Sequence, residues 1–471
     1  MSDWKEYTLE ELCDFQNGFA FKNSDYVDSS ENTNEVFRMG YINRGGGFKE
    51  DTTPVFVPQN YPKNLDKFIL KLNDITIAMT DMKNSMALLG YCARISHNNR
   101  FVLNQRVGRI RVVRNDILDP IYLYYYLNSS KQIDYLRANA NSGVQVNLST
   151  DTIKKSILKV PNIEKQREIA NILFTLDQKI DLNTQINQTL EQIAQALFKS
   201  WFVDFDPVRA KVQALSDGLS LEQAELAAMQ AISGKTPEEL TALSQTQPDR
   251  YAELAETAKA FPCEMVEVDG VEVPKGWEQT TLSEICEMQN GYAFKSSEWT
   301  DSGIPVIKIG SIQSKILTVE GNGFVSEDNL SLRSNFVLND GDIVIGLTGA
   351  YVGKVGRMPA NKKAMLNQRV AKFLAKRINE SETFYSFIYM NVIQEEFKNF
   401  VDFTAQGSAQ PNISTKDILK YPLLLANNEV HLAFEKLLKK TLDKSIFNSY
   451  QNEILSNSRD LLLPKLLNGE S

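Results

Sequence analysis

The stretch WKEYTLEELCDFQNGFAFKNSDY (residues 4–26) returns without a gap as WEQTTLSEICEMQNGYAFKSSEW (residues 277–299). Further pairs follow in the same order: DITIAMTD (74–81) with DIVIGLTG (342–349), GYCAR (90–94) with GKVGR (353–357), LNQRV (103–107) with LNQRV (366–370), and NLST (147–150) with NIST (412–415). Ordered self-similarity of this kind marks a repeated folding unit, here a domain of roughly 150 residues present twice. Nothing else in the chain restricts its fold as strongly, because both copies have to satisfy one architecture.

Each copy reads as mixed and β-rich. ITIAM and IVIGL are short apolar runs bounded by Asn-Asp or Gly-Asp turns, the pattern of buried strands. RVGRIRVV alternates basic and apolar residues, as a half-buried strand does. PIYLYYYLNS and ETFYSFIYMNVIQEEF predict helices whose aromatic rings pack on the sheet.

A long helical segment follows each copy. Ile169, Leu176, Asn183, Leu190 and Leu197 recur at heptad spacing, with Ile172, Ile186 and Ile193 at the paired positions. A lone polar Asn183 in such a seam fixes register. The C-terminal counterpart carries Phe447, Ile454 and Leu461 at the same spacing, with Leu438, Leu442 and Tyr450 beside them. The expected fold is α+β, pseudo-two-fold symmetric. Two repeated β-rich domains (1–160 and 277–425) are joined by two long antiparallel coiled-coil helices (161–204 and 426–471).

Residues 205–276 have no counterpart. SLEQ (220–223) and TPEE (236–239) are capping boxes, so this is a small helical insertion. The acidity of the chain gathers there. Residues 161–276 hold 10 Lys+Arg against 19 Asp+Glu, a balance of −9, whereas residues 1–160 hold 20 against 18, a balance of +2. The insertion reads as a solvated linker or, alternatively, as a docking surface.

The sequence offers little for catalysis. Cys13, Cys92, Cys263 and Cys286 lie far apart with no C-x-x-C pair, which argues against a zinc site or disulfide framework and fits a reducing cytoplasm. His97 and His431 are the two histidines, at non-equivalent positions. No Walker loop, nucleophile elbow or H-E-x-x-H occurs. Neither catalytic residues nor metal ligands are expected, and no apolar run is long enough to span a bilayer.

Charge patterning gives the positive signal. Residues 83–114 carry Lys83, Arg94, Arg100, Arg106, Arg109, Arg111 and Arg114 and no acid. Residues 351–377 carry Lys354, Arg357, Lys362, Lys363, Arg369, Lys372, Lys376 and Arg377, again without an acid. One such strip per domain predicts a phosphate-facing surface. Lys22 and Lys295 of the repeated Phe-Lys pair join it, as do Asn104, Gln105, Asn367 and Gln368 of the LNQRV pair. Arg, Asn and Gln can read bases. A motif common to both copies cannot distinguish two sequences, so these shared residues are assigned to backbone contact or structure. Specificity is expected in divergent segments such as RMGYINRGGGFK and VIKIGSIQSK.

The order QNGFAFK/QNGYAFK, LNQRV, NLST/NIST, then EKQREIANILFTLDQKI opening the first long helix, LFKSWFVDFDPVRAK after it and LLLPKLLNGE closing the second, resembles the specificity subunit of type I restriction-modification systems. The resemblance spans essentially the whole chain. It implies two target-recognition domains, each reading half of a split double-stranded DNA site, with the helices acting as a spacer. It further implies two modification (DNA methyltransferase) subunits docked on the helices, and restriction/translocase subunits in the larger assembly. S-adenosylmethionine, ATP and Mg would sit on those partners, with no cofactor on this chain, in a cytoplasmic, membrane-free complex. Gln166, Arg167, Leu176, Asn183, Leu190, Leu197, Trp201, Phe447, Ile454 and Leu461 are the expected subunit contacts. One departure stands out: VHLAFEKLL after Glu429 lacks the Gln-Arg of KQREIANIL, so the two partner-docking ends are expected to be unequal. The competing reading is a tandem scaffold that binds proteins, not DNA, through its coiled coil and acidic insertion.

Overall fold

The structure is a computed structural model that describes residues 4–469, apart from 142, 144, 314 and 406–410. It divides into two compact units, residues 1–180 with 454–471, and residues 181–453. The division cuts through both long helices. The start of the first, Ile163–Phe202, packs Ile169, Ala170 and Leu173 into the core of the first unit together with Leu467. Its end packs Ala194, Phe198, Trp201 and Phe202 into the core of the second unit with Val430, Phe434, Leu438 and Leu442 of the second helix, Asn428–Asn468.

Each unit is built on the same antiparallel four-stranded sheet. In the first the order is Cys13–Asn17, Val107–Val112, Ile75–Ala78, Cys92–Arg94. In the second it is Cys286–Asn290, Val370–Ala375, Ile343–Gly346, Val355–Arg357. The apolar runs legible in the sequence are the central strands, and Ile75, Ile77, Val344 and Ile345 are fully enclosed. The domain's first strand closes on its last in identical register: Lys5 opposite Val160, and Glu278 opposite Leu425. A second sheet joins strands of distant sequence in parallel, Glu35–Phe37 with Phe101–Leu103 and Val306–Ile307 with Met365–Leu366. It has three strands in the first unit and five in the second. The aromatic segments form helices Pro120–Leu127 and Tyr385–Val392, with Tyr122 and Phe387 in the cores.

The helix seam differs from the heptad expectation. Asn183 is buried and donates to Asn452 Oδ1 at 2.9 Å. One turn on, Asn187 donates to Ser445 O and accepts from Asn448 Nδ2 at 2.9 Å. The centre of the seam in the second unit is thus a ladder of amides and not a single polar position. Phe447, Ile454 and Leu461 lie outside the seam, 40%, 46% and 68% exposed. The buried positions are Leu438, Leu442 and Ile446. Helical packing over this length follows a 3.6-residue stripe, which drifts away from a strict heptad read from one end. Ile172 and Ile193 are exposed for the same reason.

Residues 205–276 fold as four helices, Asp206–Ser216, Leu221–Ser233, Pro237–Thr246 and Pro248–Ala260, followed by a hairpin, Met265–Val268 with Val271–Pro274. Ser220 and Thr236 cap as their boxes predict, and Gly234 ends its helix in the left-handed region at φ 64°. The helices share a small core of Ala228, Met229, Leu240, Leu243 and Ala258.

Candidate nucleic-acid interface

The three repeated motifs meet at one place in each unit. Strand Cys13–Asn17 runs into Gly18, whose backbone lies against the LNQRV turn: a Cβ there would fall 1.8 Å from Asn104 O. Gly291 stands in the same relation to Asn367 O, at 1.9 Å. Only glycine allows the backbones so close. The following residue then bonds both sides of the turn. Phe19 N donates to Leu103 O at 2.9 Å and Gln105 N donates to Phe19 O at 2.7 Å. Tyr292 repeats this with Leu366 and Gln368, both at 2.9 Å. The third motif closes the triangle: Asn17 Nδ2 bonds Thr150 Oγ1 at 3.1 Å, and Asn290 Nδ2 bonds Thr415 Oγ1 at 3.4 Å.

Within LNQRV the arginine adopts the left-handed conformation, φ 70° at Arg106 and 71° at Arg369. This is a costly state for a residue that carries a Cβ. It is held because the arginine carbonyl accepts from Met79 N and Leu347 N, each at 2.9 Å. The outcome is a braced loop that exposes Gln105 and Arg106 in one unit, and Gln368 and Arg369 in the other. The two divergent connections after the central strands emerge beside these loops. In the first unit Thr80–Met82 pairs with Gln145–Asn147 and leads to exposed Met82 and Lys83. In the second, Gly349–Tyr351 leads to Lys354, whose ammonium lies 4.6 Å from the Tyr351 ring.

Not every basic residue of the two strips faces outward. Lys22, Lys83, Lys295, Lys354 and Lys363 are exposed. Arg100 is half-exposed but paired with Glu35 at 2.9 Å. Lys362 bonds Glu453 at 2.6 Å and Glu320 at 3.4 Å. Three expected DNA contacts are corrected. Arg109 is 4% exposed and paired with Asp14 of the adjacent strand. Arg357 is 3% exposed and donates to Leu442 O at 3.1 Å and Ser445 Oγ at 2.6 Å of the second long helix. Asn367 is buried, donating to Tyr292 O. Arg94, the partner of Arg357 in the repeat, is half-buried over the Phe174 ring of the first long helix and bonds Asn73. Arg111 and Lys372 are neutralised by Asp74 and Asp342. A strip free of acids in sequence is therefore not free of acids in space: neighbouring strands supply them.

The expected subunit contacts also divide. Gln166 is fully buried: it accepts from Asp119 N and donates to Ile117 O and Pro161 O. Trp201 is fully buried in the second core. Neither offers a surface, and Asn183 is used in the helix seam. Leu176, Leu190 and Leu197 are half-buried, while Arg167, Phe447, Ile454 and Leu461 are exposed. In place of exposed Arg167 the second unit has half-buried Leu432, and in place of Gln166 it has His431. It is 1% exposed, and its Nε2 accepts from Ala426 N at 3.2 Å. One turn later Glu435, also buried, accepts from Ser386 N at 2.8 Å near the start of helix Tyr385–Val392. Burial holds His431 down to about 3 and pushes Glu435 up to about 7. The sequence does not show the amide ladder, Glu435 or the anchoring role of Arg94 and Arg357. The Asn pairs four apart, 183/187 and 448/452, were the available signal for the ladder.

Among the described residues no group of three or more His, Cys, Asp or Glu side chains could hold a metal ion, and no helix is long and apolar enough to cross a membrane. The geometry defines a duplicated recognition scaffold: one braced, polar-tipped loop per domain, each domain fastened to a long helix. The sequence matches the type I restriction modification DNA specificity domain over residues 1–192 and 274–444, and the chain belongs to that family. It is 39% identical over the full length of both chains to the type I restriction enzyme HindI specificity subunit of Haemophilus influenzae. It is 23% identical to the MjaIX specificity subunit of Methanocaldococcus jannaschii, over 83% of this chain and 77% of that one. Its fold is that of the type I restriction-modification S subunit from M. genitalium, with a TM-score of 0.57 at 18% identity, covering 99% of this chain and 96% of that one.

Proposed function

We propose that this chain is the DNA-recognition subunit of a type I restriction-modification complex, each repeated domain contacting one half of a split site. The observation that carries this reading is the paired loop: Gln105-Arg106 and Gln368-Arg369 are braced identically and exposed. Identical loops suit sequence-independent phosphate contacts, and the unlike connections beside them, with Met82-Lys83 against Tyr351-Lys354, suit readout of unlike half-sites. The chain itself carries out neither methyl transfer nor cleavage and binds no cofactor. S-adenosylmethionine, ATP and Mg belong to the modification and restriction subunits. Exposed Ile454 and Leu461 of the first unit are a surface for such a subunit.

The test is DNA binding by the chain assembled with its modification subunits, across a salt series. Arg106→Ala with Arg369→Ala should lower the slope of log affinity against log salt by up to about 2. The methylated sequence should stay the same. An unchanged slope with a changed target would make these arginines base readers. Absence of salt-dependent duplex binding in the unsubstituted complex would favour the protein-scaffold reading.

A further inference from the structure

The first unit has an open groove of about 620 Å³ lined by Trp4, Tyr7, Ile117, Val160, Pro161 and Asn162, with Lys5, Asp116 and Glu164 adding charged groups to its walls. Its counterpart in the second unit is filled. The strand register makes the comparison residue by residue. Lys5 opposite Val160 becomes Glu278 opposite Leu425, so Trp4, Val160, Pro161 and Asn162 correspond to Trp277, Leu425, Ala426 and Asn427.

In the second unit the insertion covers these residues. Phe205 meets the edge of the Trp277 ring, with centroids 5.6 Å apart, and Trp277 is 6% exposed. Phe261 and Val208 join the same core, with Ala260 and Met265 against it. Asn427 serves two masters. Its Oδ1 accepts from Val430 N at 2.9 Å, capping the second long helix, and its Nδ2 donates to Ala260 O at 2.9 Å. Asn162 caps the first long helix in the same way, accepting from Lys165 N at 2.8 Å. Asn162 itself lines the open groove. Trp4 is only half-buried, and a Cβ added at Gly469 would fall 3.1 Å from its ring.

We infer that the Trp4 groove is a docking site for a segment of a partner protein, chemically like the one that fills its twin. That segment presents a phenylalanine-type side chain to Trp4 and, where a helix ends, an unpaired backbone carbonyl to Asn162 Nδ2. The argument is internal: the chain supplies this occupant to one of two equivalent grooves. An aromatic anchor ringed by polar groups is the usual make-up of a binding hot spot, and Trp4 shares its groove with Lys5, Asp116 and Glu164. The identity of the partner as a modification subunit rests on the function proposed above.

The test uses the full chain co-expressed with its modification subunits. Trp4→Ala should weaken assembly by at least about 10-fold. Asn162→Asp keeps the helix cap, since Asp caps as well as Asn, but removes the donor. It should weaken assembly by roughly 3- to 10-fold. Asn427→Asp calibrates the effect, because it should speed hydrogen exchange in residues 205–265 and leave the Trp4 groove unaltered. A photocrosslinker at Tyr7 should capture a segment of the modification subunit that contains an aromatic residue. Unchanged assembly in both variants overturns the inference, as does a crosslink confined to this chain or to a second copy of it. If Trp4→Ala unfolds the first unit, Asn162→Asp and the crosslink decide. Variants that assemble and bind DNA normally overturn the groove alone, whereas loss of DNA binding in the unsubstituted complex overturns the DNA reading alone.

Discussion

Arg94 and Arg357 occupy the same strand position in the two copies, yet water reaches one and not the other. Arg357 is enclosed, bonded to two groups of the second long helix and laid over Tyr389 at 4.4 Å. Arg94 sits half-buried on Phe174 of the first long helix, at 4.8 Å, with one bond to Asn73. In both units the arginine fastens a recognition domain to the long helix that follows it in sequence. A basic residue kept through a duplication thus serves attachment in both units, and at Arg357 burial leaves no face for a phosphate. The units share a frame and differ in how far each joint is dried.

The shared frame itself is where the largest effect is expected. Gly18→Ala and Gly291→Ala would each drive a methyl group into a backbone carbonyl at 1.8 and 1.9 Å. Backbone cannot yield as a side-chain tip can, so each should cost its own unit more than about 4 kcal/mol, or prevent that unit from folding. Hydrogen exchange followed in peptides of each unit separately is the readout. A severe loss in one unit with tolerance in the other would show that the motif triangle is not equivalent in the two.

The arginines should separate the units. Arg357→Ala removes two hydrogen bonds to the second long helix and a ring contact at an enclosed position, although Ser445 Oγ still donates to Leu442 O, and should destabilise the second unit by about 3 kcal/mol. Arg94→Ala loses one hydrogen bond and a cation–ring contact in a place that water can enter, and about 1 kcal/mol is expected in the first unit. Equal losses would mean that burial does not set the strength of this joint.

Much of this was legible in the sequence, for a definite reason. Motifs recur where the backbone demands them: Gly18, the Asn17–Thr150 contact and the LNQRV turn are local or directly paired, so duplication preserved them as strings of letters. The central strands were legible because their apolar runs are unbroken. What stayed hidden was set by neighbours remote in sequence. Arg109 looked like part of a basic strip until Asp14, on the adjacent strand, neutralised it. Arg357 looked exposed until Leu442 and Ser445 arrived from the second long helix. The heptad through Phe447, Ile454 and Leu461 is real as a pattern. Which of two offset stripes faces the partner helix depends on the domain packed beside it, and that information is not in the helix. His431 has no histidine as its repeat partner, and only the strand register shows that it fills the place of Gln166.

That last substitution gives the comparison a pH dependence. Gln166 does not titrate, whereas His431 and Glu435 do, and their burial acts in opposite directions. His431 is held at about 3, below its ordinary 6.5, so the folded second unit keeps it neutral while the unfolded chain takes up a proton. Its contribution is present above pH 6.5 and is lost as pH falls toward 3. Glu435 is raised to about 7 from its ordinary 4.5, so the folded unit keeps it protonated. Its contribution is present below pH 4.5 and is lost as pH rises toward 7. Between pH 4.5 and 6.5 the two slopes oppose each other, and the unsubstituted second unit should be nearly flat. Each single variant removes one side of the balance. Glu435→Gln should leave a unit that weakens as pH falls from 6.5, by roughly 1.4 kcal/mol per pH unit. His431→Gln, which copies the first unit, should leave one that weakens as pH rises from 4.5, with a slope of similar size and opposite sign. Hydrogen exchange in the helix Tyr385–Val392, read at several pH values after correction for intrinsic rates, measures both. The Gln166 unit should show neither slope in this window from these groups. Parallel slopes in the two variants would mean that His431 and Glu435 titrate as one coupled site, and that burial alone does not set them apart.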